Sequence, residues 1–217
     1  MRVLICIPCL LTGGTEIQTL NLVEALIRGG HQVTTVCYFE HTPNMVSRYQ
    51  QAGSKVVCLS VTGKRIGGIN GIIFLYKGLK QMIRISKPDI THVQYMAPGA
   101  IPILLLRLFG IKNIIATAHT AADNYPNLNL VHFIQRYCVR VFTCITQVAE
   151  MSFFGKSNLY TQKTVIQKVN HFTIYNVLPS YIKIREEQRD FSSPVTLGVV
   201  GRLEKIKGGD LVIPAFV

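Results

Sequence analysis

The feature that most restricts this chain is an alternation: a short, continuously apolar run, a polar loop, then a stretch with helical spacing, repeated along most of the 217 residues. The first unit sets the pattern. Val3-Leu4-Ile5-Cys6-Ile7 has the unbroken apolar character of a strand buried on both faces of a parallel sheet. Pro8 ends it, and a loop runs through Thr12-Gly13-Gly14. Thr15 is then read as the N-cap of a helix, with Gln18 completing a capping box. Ile17, Leu20, Val23, Leu26 and Ile27 fall on one helical face, and Gly29-Gly30 closes the helix. A glycine loop feeding a helix N-terminus lets backbone amides and the positive dipole end face an anion. No G-x-G-x-x-G is present, so this is not a dinucleotide fingerprint.

The same grammar continues. Strands are expected at Gln32–Phe39, Lys55–Leu59, Ile90–Gln94, Asn113–Thr117, Val141–Ile145 and Phe172–Tyr175, with helices at Pro43–Tyr49, Ile69–Ser86, Ile101–Phe109 (after a loop containing Pro98 and Gly99), Leu130–Arg140 and Thr146–Met151. Strands and helices alternating in this way imply an α/β fold, a Rossmann-like doubly wound parallel sheet. Such sheets bind ligands beyond the carboxyl ends of their strands. Gly13-Gly14, the 95–99 loop and His119 all lie at that edge. In the Ile69–Ser86 helix, Ile72, Tyr76, Leu79 and Ile83 are expected to form the buried stripe. Lys77, Lys80, Arg84 and Lys87 share another face, which is either a site for anionic lipid headgroups or a solvated surface.

Net charge is +12, and residues 61–170 hold thirteen Lys/Arg against three acidic residues. A field of that sign attracts anionic ligands and surfaces. Zinc-finger spacing, RNP-like aromatic motifs and basic zippers are missing, so nucleic acid is not expected as a partner. Ile101–Ile111 is too short to span a bilayer and contains Arg107, and no signal peptide is evident, which points to a cytoplasmic protein. Of six cysteines, Cys6, Cys37, Cys58 and Cys144 fall in apolar runs and are read as core residues. Cys6-x-x-Cys9 lacks the helix-terminal placement of a redox pair. No second close pair completes a metal site, so no metal is expected; no cofactor is expected either. His92 is read as structural, and His31, His41, His132 and His171 receive no role.

Near the end the chain starts afresh. Thr196–Gly201 reads as a new strand, Arg202-Leu203-Glu204-Lys205-Ile206-Lys207-Gly208-Gly209 as its loop, and Asp210–Phe216 as a helix interrupted by Pro214. This segment resembles the start of the C-terminal domain in retaining group 1 (family 4) glycosyltransferases of the GT-B fold. Gly13-Gly14-Thr15-Glu16 resembles that family's N-terminal glycine loop, and Lys87-Pro88-Asp89-Ile90-Thr91-His92 its K-P-D-I-I-H segment. Ala116–His119 resembles its T-x-H, Ile145-Thr146 its V-S, and Ile174-Tyr175-Asn176 its I-Y-N-G. Thr120 departs from the pattern where an acidic residue is common, and so does Val177 in place of glycine.

The resemblance implies a GT-B N-terminal, acceptor-binding domain at 1–179, a polar linker at 180–194, and at 195–217 the truncated start of a nucleotide-sugar-binding domain. The reaction implied is transfer of a sugar from a nucleotide-sugar donor to the hydroxyl of a glycan or lipid-linked acceptor, with retention. Arg202 and Lys207 correspond to the pair that grips the donor diphosphate. Gly13, Gly14, Thr15 and Glu16 would face the substrate, and His119 would touch the transferred sugar without acting as a general base. The chain by itself is expected to be inactive. A split enzyme or a non-catalytic module for membranes or glycans remains the alternative. The apolar 195–200 strand, flanked by no others in this sequence, is expected to be held least firmly and to favour self-association.

Overall fold

The computed structural model describes residues 1–94, 96–125, 127–161, 170–178, 182, 198–200, 208–212 and 214–216. The chain forms two units, Met1–Pro179 and Ser180–Val217. In the first, β1 (Arg2–Ile7), β2 (Gln32–Cys37), β3 (Lys55–Cys58), β4 (Ile90–Gln94), β5 (Ile114–Ala118), β6 (Val141–Cys144) and β7 (His171–Thr173) make one sheet in the order β3-β2-β1-β4-β5-β6-β7. Every neighbouring pair is parallel. This is the doubly wound α/β arrangement expected from the alternation, and its switch point falls between β1 and β4.

Because successive strand residues point to opposite faces, β1 feeds two cores. Val3, Ile5 and Ile7 pack against Leu20 and Val23 of α1 (Gly14–Arg28) and Met45 and Tyr49 of α2 (Pro43–Gln51). Leu4 and Cys6 belong to the larger cluster on the other face. That cluster takes in residues of α3 (Gly68–Ser86), α4 (Met96–Leu108), α5 (Leu128–Phe133) and α6 (Gln147–Phe154). Burying each such aliphatic side chain contributes about 2 kcal/mol. The helix α5 continues as a π-helical turn over Ile134–Cys138.

The K-P-D segment is structural punctuation. Lys87 takes the left-handed C-cap position of α3 (φ 42°), and Pro88 follows it. Asp89 then accepts from the Arg2 amide (2.7 Å) and guanidinium (3.0 Å), tying the starts of β4 and β1 together. At the far edge, Glu150 of α6 is wholly buried and holds β7 in place. It accepts from Thr173 Oγ1 (2.6 Å) and the Asn158 amide (3.0 Å), and meets His171 Nδ1 at 2.5 Å.

Four local expectations are corrected. Thr15 is not a cap: α1 begins at Gly14 with Gly13 as N-cap and no side-chain cap bond. Gln18 instead closes on Val177, donating from Nε2 to its carbonyl (2.8 Å) and accepting from its amide (3.2 Å). The helix α4 starts five residues earlier than expected, at Met96, because Pro98 falls in its first turn, where no amide donor is required. The buried stripe of α3 is Gly71, Leu75, Leu79 and Met82, which leaves Ile72 and Tyr76 exposed.

In the second unit, α7 (Gly209–Val212) is followed by a 3-10 turn over Pro214–Phe216, so Pro214 divides the expected helix. Gly198–Val200 carry no strand pairing, and Val199 and Val200 are exposed. The rest of the expected strand, and all of the 180–194 linker except Ile182, lie outside the described residues.

Candidate functional site

The helices α1 and α2 cover β1, β2 and β3 on their face of the sheet. Over β4, β5, β6 and β7 the same face borders a cavity of about 910 Å³, walled on its other side by α1 and the segment after β7. Alternation along the strands decides what enters it: Ile90, His92 and Gln94 from β4, Ile115 and Thr117 from β5, Val141 and Thr143 from β6. A polar ladder crosses this mostly apolar floor. His92 Nε2 lies 2.7 Å from Thr117 Oγ1, which lies 2.7 Å from Thr143 Oγ1. His92 is thus fixed by strand register, in keeping with a structural role.

His119 follows the last residue of β5, at the carboxyl end of the cavity. Its Nε2–H donates to Gln94 Oε1 across 2.8 Å, so the β4 end orients the ring at the β5 end. Burial pushes the pKa of His119 down to about 4. His92 is also lowered to about 4, by burial first and then by the charge that would form on His119. A neutral imidazole fixed by a side-chain amide is suited to hydrogen-bonding hydroxyl groups, and poorly suited to supplying a proton near neutral pH. Gln94 was missed in the sequence because a polar residue at a strand end is unremarkable until its neighbour across the sheet is known.

The glycine loop is built differently from the expectation. Gly13 has an extended backbone (φ −154°), but a Cβ there would come within 2.4 Å of Glu16 Oε2. Glu16, third residue of α1 and buried, therefore folds back under Gly13 and places its carboxylate at the helix N-terminus. Cys9 Sγ donates to Glu16 Oε1 at 3.1 Å. Burial first, then this carboxylate, pushes the Cys9 thiol up to about 12, which leaves it a poor nucleophile. Gly14 has open space around it. The cavity's α1 wall runs from Gln18 onward, so Gly13, Gly14, Thr15 and Glu16 are not part of its lining while His119 is.

Lys77, Lys80, Arg84 and Lys87 are all exposed. The rotation of α3 also places Ile69, Ile73 and Tyr76 in solvent beside these cations, and Lys80 Nζ lies 5.5 Å from the Tyr76 ring centre. Arg202 and Lys207 lie outside the described residues. All six cysteines are free thiols. Register makes Cys37 and Cys58 partners on β2 and β3, and His41 joins them, a cluster that sequence spacing did not suggest.

Solved structures of three enzymes are similar to the chain. A glycosyltransferase from Rickettsia africae aligns with a TM-score of 0.60 and 15% identity, over 80% of this chain and 42% of the other. HepE of Anabaena, solved in complex with UDP, gives 0.55 and 13%, over 82% and 44%. The UDP-GlcNAc 2-epimerase of Neisseria meningitidis, bound to UDP-GlcNAc, gives 0.56 and 11%, over 80% and 45%. The chain therefore spans less than half the length of each. At these identities the likeness establishes the fold, and transferases and epimerases share it. No curated protein sequence matches the chain. The model for Glycosyltransferase Family 4 matches residues 12–150, well over half the chain, from the glycine loop through His119 to Glu150, and the chain belongs to that family.

Proposed function

We propose that this chain supplies the acceptor-side domain of a glycosyltransferase that moves a sugar from a nucleotide-sugar donor to an acceptor hydroxyl with retention at the anomeric carbon, in cell-surface glycan or glycolipid synthesis. The observation that carries the reading is the family match over residues 12–150, which spans both the glycine loop and His119. In this reading His119, neutral and oriented by Gln94 at the sheet's carboxyl edge, contacts a sugar hydroxyl, and its hydrogen bond to Gln94 and lowered pKa support that role. Arg202 and Lys207 are assigned to the donor diphosphate, where charge grows as the sugar leaves and fixed cations stabilise the transition state more than the ground state. No residue set in this scheme requires a metal.

The test is a transfer assay with nucleoside-diphosphate sugars and polyprenyl-phosphate-linked acceptors. It is run on the 217-residue chain by itself and with the donor-binding half of a family member added in trans. No turnover is expected from the chain alone and turnover is expected on complementation, with the donor's anomeric configuration retained by NMR. Inverted product removes the retaining assignment. Turnover by the chain alone, abolished by Arg202→Ala, removes the division of labour.

The exposed face of α3 favours a membrane-surface location, which would also serve the second, non-catalytic reading. Cations flanked by solvent-facing Ile69, Ile73 and Tyr76 are the combination that docks at an anionic bilayer interface. Vesicles with anionic lipid should bind the chain, neutral ones should not, and salt should release it. Replacing Lys77, Lys80, Arg84 and Lys87 with Gln should abolish binding. Equal binding by the quadruple variant assigns the face to solvent. Membrane binding without turnover in any complemented mixture favours the non-catalytic module.

A further inference from the structure

The ends of β2 and β3 carry a donor cluster that sugar transfer does not use. Cys37 is the last residue of β2 and Cys58 the last of β3, and the parallel register makes them partners. Both belong to the apolar cluster shared with α2, so both side chains leave the sheet on one face. The chain then turns over the strand end and brings back His41, paired with Leu10 in a single parallel bridge. Sγ of Cys37, Sγ of Cys58 and a ring nitrogen of His41 all lie within 4.8 Å of one another. Ligand atoms around a tetrahedral ion with zinc–sulfur bonds of about 2.3 Å stand about 3.8 Å apart. Small side-chain rotations would close the set on an ion without moving either strand.

The surroundings support a ligand set. His41 Nδ1 donates to the Phe39 carbonyl across 3.0 Å, the kind of backbone bond that fixes the ring of a metal-bound histidine and leaves the lone pair on Nε2. Gly63, in the left-handed region (φ +64°), passes beside the ring, where a Cβ would come 3.8 Å from Cε1. An ion pair between Arg65 and Glu40 (3.0 Å) ties the 60–65 loop to the residue before His41. Two thiols and an imidazole suit a thiophilic ion and discriminate against magnesium and calcium.

We propose that Cys37, His41 and Cys58 form a zinc site with three protein ligands, the fourth position being taken by water. Binding forms two zinc–sulfur bonds and one zinc–nitrogen bond, and the two thiol protons pass to solvent. The ion would pin the β2–α2 connection to the end of β3. Its effect would reach the glycine loop, because Leu10 N donates to the Glu40 carbonyl (2.8 Å) and Thr42 N donates to the Leu10 carbonyl (3.0 Å), on either side of His41. The site stands whether or not the chain takes part in sugar transfer.

The test uses the full 217-residue chain, reduced, stripped with chelator and kept free of oxygen. Titration with Co²⁺ should reach one equivalent, give a sulfur-to-cobalt charge-transfer band with the intense visible absorption of a four-coordinate ion, and be reversed by Zn²⁺. Zn²⁺ alone should raise the melting temperature. Cys58→Ser and His41→Asn change partly exposed residues, and folding of each is checked by circular dichroism. Each should weaken Zn²⁺ binding by more than about a hundredfold, while Cys9→Ser should not change it. A missing charge-transfer band, unchanged affinity in both ligand variants, or an equal loss in Cys9→Ser would overturn the site. So would a Cys37–Cys58 disulfide that survives reductant and excludes the ion.

Discussion

Acidification should unfold the first unit through His92 and His119, and the structure sets the window. Folded, both imidazoles have pKa values near 4, lowered chiefly by burial. An unfolded histidine titrates near 6.5. Between these values the unfolded chain binds protons that the folded chain refuses, so stability is full above about pH 6.5 and falls as pH drops towards 4. The slope is at most about 1.4 kcal/mol per pH unit for each histidine, or about 2 kcal/mol each between pH 7 and pH 5. Water reaches part of both rings through the cavity, so these figures are ceilings. Together they take a large share of the roughly 5–15 kcal/mol that holds a domain folded. Urea unfolding at fixed ionic strength, from pH 7.5 to 4.5, measures the slope. Gln at position 92 keeps a partner for Thr117 Oγ1 and cannot titrate over this range. His92→Gln and His119→Gln should each flatten the profile, and the double variant should flatten it most. Profiles of wild type and double variant that stay parallel within about 0.5 kcal/mol would refute the assignment of buried, neutral rings, since the linkage relation leaves no other outcome.

Three further outcomes are expected. Gly13→Ala should cost about 1–3 kcal/mol, since its Cβ would overlap the Glu16 carboxylate, and Glu16→Ala in the same chain should recover part of that loss; additive losses in a double-mutant cycle would mean the contact is not what excludes alanine. Glu150→Ala should cost about 3 kcal/mol or more by stranding Thr173, His171 and Asn158, and a loss under about 1 kcal/mol in chemical denaturation would show that β7 is held by other means. In a complemented transfer assay, Lys207→Ala should lower kcat/KM by roughly ten- to a thousandfold, and an unchanged rate removes Lys207 from the mechanism.

Much of the scaffold was legible because it is written in local periodicity. Apolar and β-branched runs marked each strand of the described sheet within a few residues, and Thr146, read at a helix start, caps α6 through a side-chain bond to the Ala149 amide. Thr42 and Asn127 cap α2 and α5 in the same way, though neither is read as a cap from the sequence. Misreadings arose where two local signals competed. Thr15 had the chemistry of a cap, but Glu16 three residues after Gly13 used the helix start instead. Ile72 and Tyr76 had the spacing of a core stripe, but so did Leu75, Leu79 and Met82. Apolar character alone does not fix a helix's rotation when residues suited to burial occupy more than one face.

The sequence by itself determined the order of strands and helices, the doubly wound class, and the placing of Gly13 and His119 at loops beyond strand ends. Each follows from propensities and spacings within a dozen residues, which act before any distant part of the chain is in place. Tertiary structure decided everything that depends on which strand lies beside which. Gln94 meets His119 because β4 pairs with β5, and Thr117 meets Thr143 because β5 pairs with β6. Cys37 meets Cys58, twenty-one residues away, because β2 and β3 are parallel and in that register. A one-residue slip in any of these pairings would send every side chain of the strand to the opposite face. Register is set by the summed burial of both cores, and no stretch of sequence contains that sum.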